Sequence, residues 1–432
     1  EWGVTKKREY TLESVDPNTQ YSIQIKAQDD WYNESEKSSA VVVTTKAYNA
    51  DNDKAGLINP WEDLVYRGAF KVDSSTVFGN DSSFSRFAYG GRGMTYLPNG
   101  DLANTDAYEG ALLISAHPGG SDADGLFYGE INIPVPKISG DVDDLNTATL
   151  INTAELFDLT DTDDGYQIKG GDVIYFDADD NHAENTIYHI AADYFSSGAQ
   201  KILNAFDADY TNKRGEYWLT ECQTSELACK KDFRNHMMYM FQAPRSFANE
   251  HLGGRYLMVG GWYEGPHNGL GPGLNALRPW SGGFPADGST IDTLNLMEPV
   301  DYNGDWDEDY DLDGAISEHS YNDTSHGGAW LTSAANLSGD SGAIVLAVRQ
   351  GLGEHWYGDH NRWYKHDIVE DMPKTGKSGP GWRSSGYNSA LYFFKPDDLA
   401  EIAAGTREQH DAGTYARMNH DDMFYNDEGG VG

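Results

Sequence analysis

The sequence predicts an all-β protein, and both its composition and its apolar pattern indicate this fold class. Glycine makes up 48 of the 432 residues, and the chain carries 27 tyrosines and 11 tryptophans. Short apolar runs alternate with turns rich in Gly, Asp and Asn, which is typical of many short strands joined by tight turns. Hydrophobic residues amount to 39%, enough for a large core. No apolar run reaches the roughly 18 residues that would predict a membrane span.

The N-terminal residues 1–46 contain three segments with strand-like alternation, YTLESV, YSIQIKAQD and AVVVTT. Pro17 and Asn18 predict a turn between the first two segments. This pattern resembles the last three strands of a fibronectin type III module, with Tyr21 at the position of the corner tyrosine of such sandwiches. Because that module has about seven strands, the resemblance implies a partial fibronectin type III β-sandwich. It also implies that the chain is the C-terminal part of a longer protein.

Residues 47–61 form a polar segment that we interpret as a linker, since Gly56 and Pro60 interrupt the strand pattern. Residues 62–432 then form one long β-rich region. Its many short strands and its lack of a cysteine framework favour a β-propeller of six or seven blades. A β-helix and a double sandwich are the less favoured alternatives.

Seven segments of this region have the length and composition of strands. They are GALLISAH (110–117), LFYGEINIP (126–134), DVIYFDA (172–178), TIYHIAADYF (186–195), RYLMVGG (255–261), GAIVLAVRQ (342–350) and SALYFFKP (389–396). Two further segments predict helices. PRSFANEHLGG (244–254) ends on glycines, and PDDLAEIAAG (396–405) begins with Pro and two acids and ends on Gly405.

Several longer segments carry a resemblance to a known group of proteins. They include FAYGGRGMTYLPNGD (87–101), APRSFANEHLGGRYLMVGGWYEG (243–265) and LYFFKPDDLAEIAAGT (391–406). These segments resemble an uncharacterised family of secreted bacterial β-propeller-like proteins, over most of residues 64–410. The resemblance implies the propeller fold and a secreted protein, and it implies no activity.

The formal net charge of the chain is −38, from 69 acidic and 31 basic residues. Such a surface repels a phosphate backbone, so nucleic acid is excluded as a partner class. A strongly acidic surface suits a salty medium, in which ions screen its self-repulsion. The alternative reading is that much of this charge serves only solubility. Together with the resemblance to secreted proteins, the acidic surface leads us to expect a protein that is extracellular or at the cell surface.

Two cysteines, Cys222 and Cys229, lie in the segment ECQTSELACKK. Their spacing fits neither a zinc ribbon nor a CxxC redox motif. A disulfide across this short loop would stabilise the fold by about 2–3 kcal/mol and would imply a secreted origin. Two buried free thiols are the alternative.

An acidic loop predicts a calcium site. From Asp309 the sequence reads DYDLDGAISEHS, with Asp309, Asp311 and Asp313 at loop positions 1, 3 and 5 and Gly314 at position 6. Calcium-binding loops of the EF-hand type have this order, because alternating carboxylates converge on one side of a tight turn that glycine permits. The carbonyl of Ala315 and the side chain of Ser317 are the next expected ligands.

The loop departs from that type at position 12, where Ser320 replaces the bidentate glutamate. Glu318, Asp305 and Asp307 are the candidates to replace that glutamate. The absence of flanking helical patterns favours a shorter calcium hairpin, as in integrin-type propellers. A solvated acidic loop without metal is the alternative reading.

Aromatic and polar residues in predicted loops are candidates for a ligand site at the mouth of the propeller channel. The candidates for stacking on sugar rings are Trp262, Tyr263, Trp356 and Tyr357. The candidates for proton transfer and for binding an anionic substrate are His117, Arg92, His251 and Arg245. No pair among them has a diagnostic spacing, so the sequence assigns no acid and no base.

Two functions remain open at this stage. The first is an extracellular, calcium-stabilised propeller module of a longer secreted or surface protein, which binds glycan or protein at a surface, in a matrix or in an appendage. The second is a polysaccharide lyase or glycoside hydrolase that acts on an anionic polysaccharide. Expected partners are glycan, extracellular protein and other copies in a surface assembly. Binding without turnover would favour the first function, and new reducing or unsaturated ends the second.

Overall fold

The structure is a computed structural model that describes part of the chain. The described residues are 20–24, 35–44, 57–73, 85–87, 93–100, 108–115, 117–118, 123–124, 127–156, 168–178, 184–193, 201–219, 239–260, 273–278, 283–297, 324–332, 342–357 and 382–419. Strands account for most of the regular structure within these ranges, so the protein is all-β as the sequence predicts.

The strands are numbered in chain order. They are β1 (Gln20–Ile23), β2 (Val41–Thr44), β3 (Lys71–Val72), β4 (Ser85–Arg86), β5 (Met94–Leu97), β6 (Ala111–Ser115), β7 (His117–Pro118), β8 (Ala123–Asp124), β9 (Phe127–Asn132), β10 (Thr147–Ala148), β11 (Leu150–Glu155), β12 (Ile168–Phe176), β13 (Thr186–Asp193), β14 (Leu203–Asp207), β15 (Lys213–Leu219), β16 (Tyr239–Gln242), β17 (Leu257–Gly260), β18 (Leu274–Leu277), β19 (Thr290–Ile291), β20 (Thr293–Met297), β21 (Thr324–Leu331), β22 (Ala343–Tyr357), β23 (Trp382–Phe394) and β24 (Thr414–Asn419). The helices are α1 (Pro60–Asp63), α2 (Arg245–His251) and α3 (Pro396–Ala403), with 3-10 turns at Val142–Asp144 and Gln409–Asp411.

Four antiparallel sheets of four strands follow one another along the described chain. Sheet 1 has the order β5-β6-β9-β11, sheet 2 has β12-β13-β14-β15, sheet 3 has β16-β17-β18-β20 and sheet 4 has β21-β22-β23-β24. Two short parallel strands, β8 and β19, lengthen sheet 2 at its edges. Each sheet is thus a local up-and-down unit, which is how a propeller builds its blades.

The first strands of the four sheets contact one another in sequence. Strand β5 contacts β12, β12 contacts β16, and β16 contacts β21. The backbone of β21 comes so close to β16 that a Cβ added at Gly328 would lie 2.7 Å from the Phe241 ring. First strands that meet while later strands diverge give a propeller-like arrangement.

Residues 57–73, which we call the strap, run between sheet 4 and sheet 1. At one end the Ile58 N–H donates to the Gly342 carbonyl, and the Tyr415 hydroxyl donates to the Ile58 carbonyl at 2.8 Å. At the other end Ala69 pairs with Lys137, in the connection that follows β9. The strap includes residues 57–61 of the predicted linker. Within them, Asn59 caps the N-terminus of helix α1 and its side chain accepts the Trp61 N–H.

Apolar side chains fill the spaces between neighbouring sheets. One buried cluster lies between sheets 1 and 2 and includes Leu113, Tyr128 and Val173. A larger cluster joins sheets 2, 3 and 4 with helices α2 and α3. Burial alternates along β6, as expected for a strand with one face in a core.

The N-terminal pair β1–β2 is antiparallel, with Tyr21 opposite Val43 and Ile23 opposite Val41. The last two strands of a fibronectin type III module pair in this way. Two described strands do not establish such a module, so that part of the prediction stays a prediction.

Both predicted helices are confirmed as helices. Helix α2 is followed by Gly253 and Gly254, and helix α3 by Gly405, all with positive φ. Strands also occupy the seven predicted strand segments. The described residues contain four propeller-like sheets, so a count of six or seven blades stays a prediction.

Candidate functional site

A buried carboxylate lies where the first strands of three sheets meet. Asp172 on β12 accepts the Met94 N–H of β5 at 3.0 Å and the Met240 N–H of β16 at 2.7 Å. It also accepts the N–H of its neighbour Val173 at 2.8 Å. Only 7% of Asp172 is exposed. We call this group of contacts the first-strand junction, and it links sheets 1, 2 and 3 through one side chain.

Burial raises the pKa of Asp172 from 3.8 to about 7, because removal from water disfavours the charged form. The three N–H donors lower the pKa, but by less than burial raises it. A raised carboxyl pKa is one of the features that mark candidate functional positions, and here its cause is burial.

Two more buried polar side chains lie near this junction. The Tyr128 ring on β9 meets the His189 ring on β13 edge to face, with centroids 5.4 Å apart. Burial raises the pKa of Tyr128, and the negative charge of Asp172 raises it further. Among the described residues, the Tyr128 hydroxyl has no hydrogen-bond partner. The space between sheets 1 and 2 is therefore polar as well as apolar.

A second contact joins the same two sheets. The Tyr210 hydroxyl donates to the buried Glu130 carboxylate at 2.7 Å. Tyr210 has a φ of 51°, a left-handed conformation that is uncommon for a residue with a side chain. Burial, and then the hydrogen bond to Glu130, raise the pKa of Tyr210. The strained turn is thus held by a hydrogen bond across the interface.

Sheet 1 exposes an apolar and aromatic surface beside this junction. Tyr96 is 48% exposed and Tyr108 is 47% exposed, and Met94 is exposed on the same face of β5 as Tyr96. The Tyr96 hydroxyl donates to the Glu109 carbonyl at 3.1 Å, next to Tyr108. We call Met94, Tyr96 and Tyr108 the tyrosine surface.

The Tyr96 ring is held in place by its surroundings. A Cβ added at Gly110 would lie 2.6 Å from the ring, so the ring packs directly on the glycine backbone. Gly110 also has a φ of 82°, which favours glycine. A fixed, exposed ring loses little conformational entropy when a ligand packs on it. Tyrosine and methionine are also enriched at protein interfaces.

The structure places two of the predicted polar site residues on one helix. Arg245 begins α2, and its guanidinium lies 3.4 Å from the Tyr256 ring centroid and 5.5 Å from that of Phe176. His251 ends the helix and packs on Phe247 with centroids 4.7 Å apart. The two side chains belong to opposite ends of a seven-residue helix, and His251 Nε2 also lies 4.0 Å from a carboxylate oxygen of its neighbour Glu250. Their catalytic assignment stays a prediction.

The backbone alone is described for three other predicted residues. His117 lies on β7, opposite Arg86 of β4. Trp356 and Tyr357 end β22, opposite Arg383 and Trp382 of β23. The remaining predicted site residues lie outside the described residues: Arg92, Trp262, Tyr263, Cys222, Cys229, Asp309, Asp311, Asp313, Ala315, Ser317 and Glu318.

The described ranges contain no group of three or more His, Cys, Asp or Glu side chains placed to hold a metal ion, and these ranges exclude the predicted calcium loop. No helix within them has the length and apolar character that crossing a membrane requires.

Sequence reasoning missed Asp172, Tyr96 and Tyr108. The sequence signal for Asp172 is its position, because it follows two glycines and directly precedes the apolar run VIYF. Strand alternation puts that acid on the same face as Ile174 and Phe176, where a charged residue is unexpected. Tyr96 and Tyr108 had no signal that separates them from the other 25 tyrosines of the 27 in the chain.

Comparisons with known proteins leave the family open. No protein-family model and no curated protein sequence matches the chain. A comparison with solved structures matches one titled "Structure of Dos1 propeller", at 7% sequence identity and a TM-score of 0.25. The match covers 72% of this chain and 58% of that one, so this chain spans less than two thirds of that structure's length. The superposition is too loose to carry function, and the propeller-like arrangement rests on the strand contacts.

Proposed function

We propose that the protein is an extracellular, calcium-stabilised propeller module of a longer secreted or surface protein. Its role is to bind glycan or protein at a surface, in a matrix or in an appendage. The observation that supports this best is the tyrosine surface, because it presents two exposed rings, one of them fixed by the backbone around it.

The tyrosine surface has the chemistry for a sugar ring or an apolar side chain. An aromatic face packs against the C–H groups of a sugar, and the hydroxyl of tyrosine adds a polar end. Such surfaces bind through a few anchoring rings rather than through total area.

The net charge favours neutral glycans and basic protein surfaces over anionic polysaccharides. A chain with a net charge of −38 repels a polyanion at long range. The predicted cationic residue Arg245 lies against aromatic rings. These two observations count against the alternative, a lyase or hydrolase of anionic polysaccharides.

Calcium binding by Asp309, Asp311, Asp313, Ala315, Ser317 and Glu318 is part of the proposal, and the spacing of the carboxylates supports it. We expect calcium to raise the melting temperature of the EDTA-treated chain. Asp311→Ala should abolish that rise, because it removes the central ligand of the three. Calorimetry that detects no binding heat at millimolar calcium would remove this part of the proposal.

The finer fold also remains proposed. We infer a ring of six or seven blades in residues 62–432, and the support for it is the length of this region and its many short strands. We also infer that residues 1–46 are the C-terminal half of a fibronectin type III module, supported by the antiparallel β1–β2 pair.

A glycan array followed by affinity measurement tests the binding role. We expect Tyr96→Ala to weaken binding of the ligand by about tenfold or more, because a few anchoring rings carry most of the binding free energy. A factor of ten corresponds to about 1.4 kcal/mol. Tyr66→Ala is the matched control, because Tyr66 is an exposed tyrosine on the strap and its loss should leave affinity unchanged.

The same samples are assayed for new reducing or unsaturated ends. We expect the unchanged protein and Tyr66→Ala to bind the ligand without cleaving it, and Tyr96→Ala to lose binding. Cleavage of the ligand would favour the enzyme alternative. Equal affinity of Tyr96→Ala and the unchanged protein would show that the ligand binds elsewhere.

A further inference from the structure

The first-strand junction concentrates the contacts of three sheets on one ionisable group. The oxygen Oδ1 of Asp172 accepts the N–H groups of Met94 and Val173, and Oδ2 accepts that of Met240. Met94 is 78 positions from Asp172 in the chain, and Met240 is 68 positions away. The junction therefore connects segments that have no local reason to stay together.

We propose that the first-strand junction is a pH-sensitive contact. The packing of sheets 1, 2 and 3 on one another depends on whether the buried Asp172 carboxyl group, which accepts hydrogen bonds from all three, carries a proton.

The geometry distinguishes the two forms of the carboxyl group. All three described partners of Asp172 are donors, so the ionised form accepts three charge-assisted hydrogen bonds. The protonated form needs an acceptor for its own O–H while its oxygens still face the three N–H groups. Against this, burial at 7% exposure penalises the ionised form. The ionised form thus has the stronger hydrogen bonds, and the protonated form avoids the cost of a buried charge.

Few other ionisable groups in the described residues bear on this carboxyl group. From β5 and β16 the groups that face it are backbone N–H groups. The group on β9 that acts on it is Tyr128, whose pKa is raised by the charge of Asp172. On β13, His189 lies opposite Val173 and packs on Tyr128. Tyr128 stays protonated near neutral pH because burial raises its pKa, so it adds no negative charge beside Asp172.

The sign of the effect follows from linkage. Because the pKa of Asp172 is raised from 3.8 to about 7 in the folded protein, the folded state binds this proton more tightly than the unfolded state. The stabilising contribution is complete below about pH 4, declines as the pH rises, and is lost above about pH 7.

Thermal unfolding of the full chain between pH 5 and 8.5, at fixed calcium, tests the proposal. Asp172→Asn keeps the shape of the side chain but cannot ionise. We expect the melting temperature of the unchanged protein, relative to Asp172→Asn, to fall by several degrees as the pH rises from 5 to 8. Parallel curves would overturn the proposal.

Asp287→Asn is the matched control. Asp287 is exposed and also accepts a distant backbone N–H, that of Glu216 at 2.8 Å. Its replacement should leave the pH dependence as in the unchanged protein. If Asp287→Asn alters that dependence as much as Asp172→Asn does, the effect is not specific to the junction, and the proposal fails.

Infrared titration of the unchanged protein decides the matter if Asp172→Asn does not fold. A protonated carboxyl group absorbs apart from a carboxylate, and ordinary Asp and Glu side chains have lost their protons well below pH 6. We expect one protonated-carboxyl band that disappears with a midpoint near pH 7. No such band between pH 6 and 8 would overturn the proposal.

Discussion

Strands β17 and β2 each contain three consecutive apolar residues, and the structure treats them in opposite ways. Leu257, Met258 and Val259 of β17 are completely buried. Val41 and Val42 of β2 are 60% and 57% exposed. The two runs have similar hydrophobicity, so their difference in burial comes from what surrounds them.

Strand β17 has a neighbour on each side and a packed layer on each face. It pairs with β16 and β18, and its side chains belong to the cluster that joins sheets 2, 3 and 4. Within the described residues, β2 pairs with β1 alone. A two-stranded ribbon is at best marginally stable by itself. Apolar runs therefore predict strands, while the number of covering layers decides how much each strand stabilises the fold.

The largest expected effect comes from the covered strand. Leu257→Ala should lower the free energy of unfolding by about 2–5 kcal/mol, because it removes buried methyl groups and leaves a cavity between sheets. The measurement is denaturant unfolding of the full chain, followed by tryptophan fluorescence.

Val42→Ala is the companion variant for the exposed strand. Its effect should stay within about 0.5 kcal/mol, since an exposed side chain away from special features contributes little. A comparable loss from Val42→Ala and Leu257→Ala would mean that β2 is covered as completely as β17, and the comparison would fail.

A smaller effect is expected where sheet 4 meets sheet 3. Gly328→Ala places a methyl group 2.7 Å from Phe241 and 2.8 Å from Tyr239, so the rings must shift. The expected loss is about 1–3 kcal/mol in denaturant unfolding. Gly327→Ala is the neighbouring control, because its methyl group would meet Ala347 at an ordinary 3.6 Å. Equal effects of both variants would show that β21 and β16 are not in close contact.

Much of the secondary structure could be predicted from the sequence. Alternation and short apolar runs located the strands, and the glycines at 253, 254 and 405 located the helix ends. These are local signals, because a strand or a helix end depends on residues a few positions apart.

The contacts between sheets could not be predicted in the same way. The hydrogen bonds of Asp172 join residues 68 and 78 positions apart, and no local pattern encodes them. Tyr210 and Glu130 are separated by 80 positions. Such pairs arise only after the sheets have packed, so a single sequence shows an acid or a tyrosine without its partner.

The candidate site rests on exposure, which the sequence does not give residue by residue. Aromatic side chains are expected to carry binding, and the described residues include Tyr96 and Tyr108 as exposed rings, whose binding role stays a prediction. Exposure decides which ring is available, and exposure depends on packing that one sequence does not reveal. For Arg245 the structure adds what one sequence does not show, namely that the guanidinium lies over the Tyr256 ring, while its predicted role stays a prediction.

Amide hydrogen exchange at Met94 and Met240 in Asp172→Ala tests most directly whether the first strands of neighbouring sheets meet at one side chain. If they do, both amides lose protection together, although they belong to sheets 1 and 3, while the amides of β24 in sheet 4 stay protected. Unchanged protection at both amides, or loss at only one, would contradict the propeller-like arrangement of these sheets.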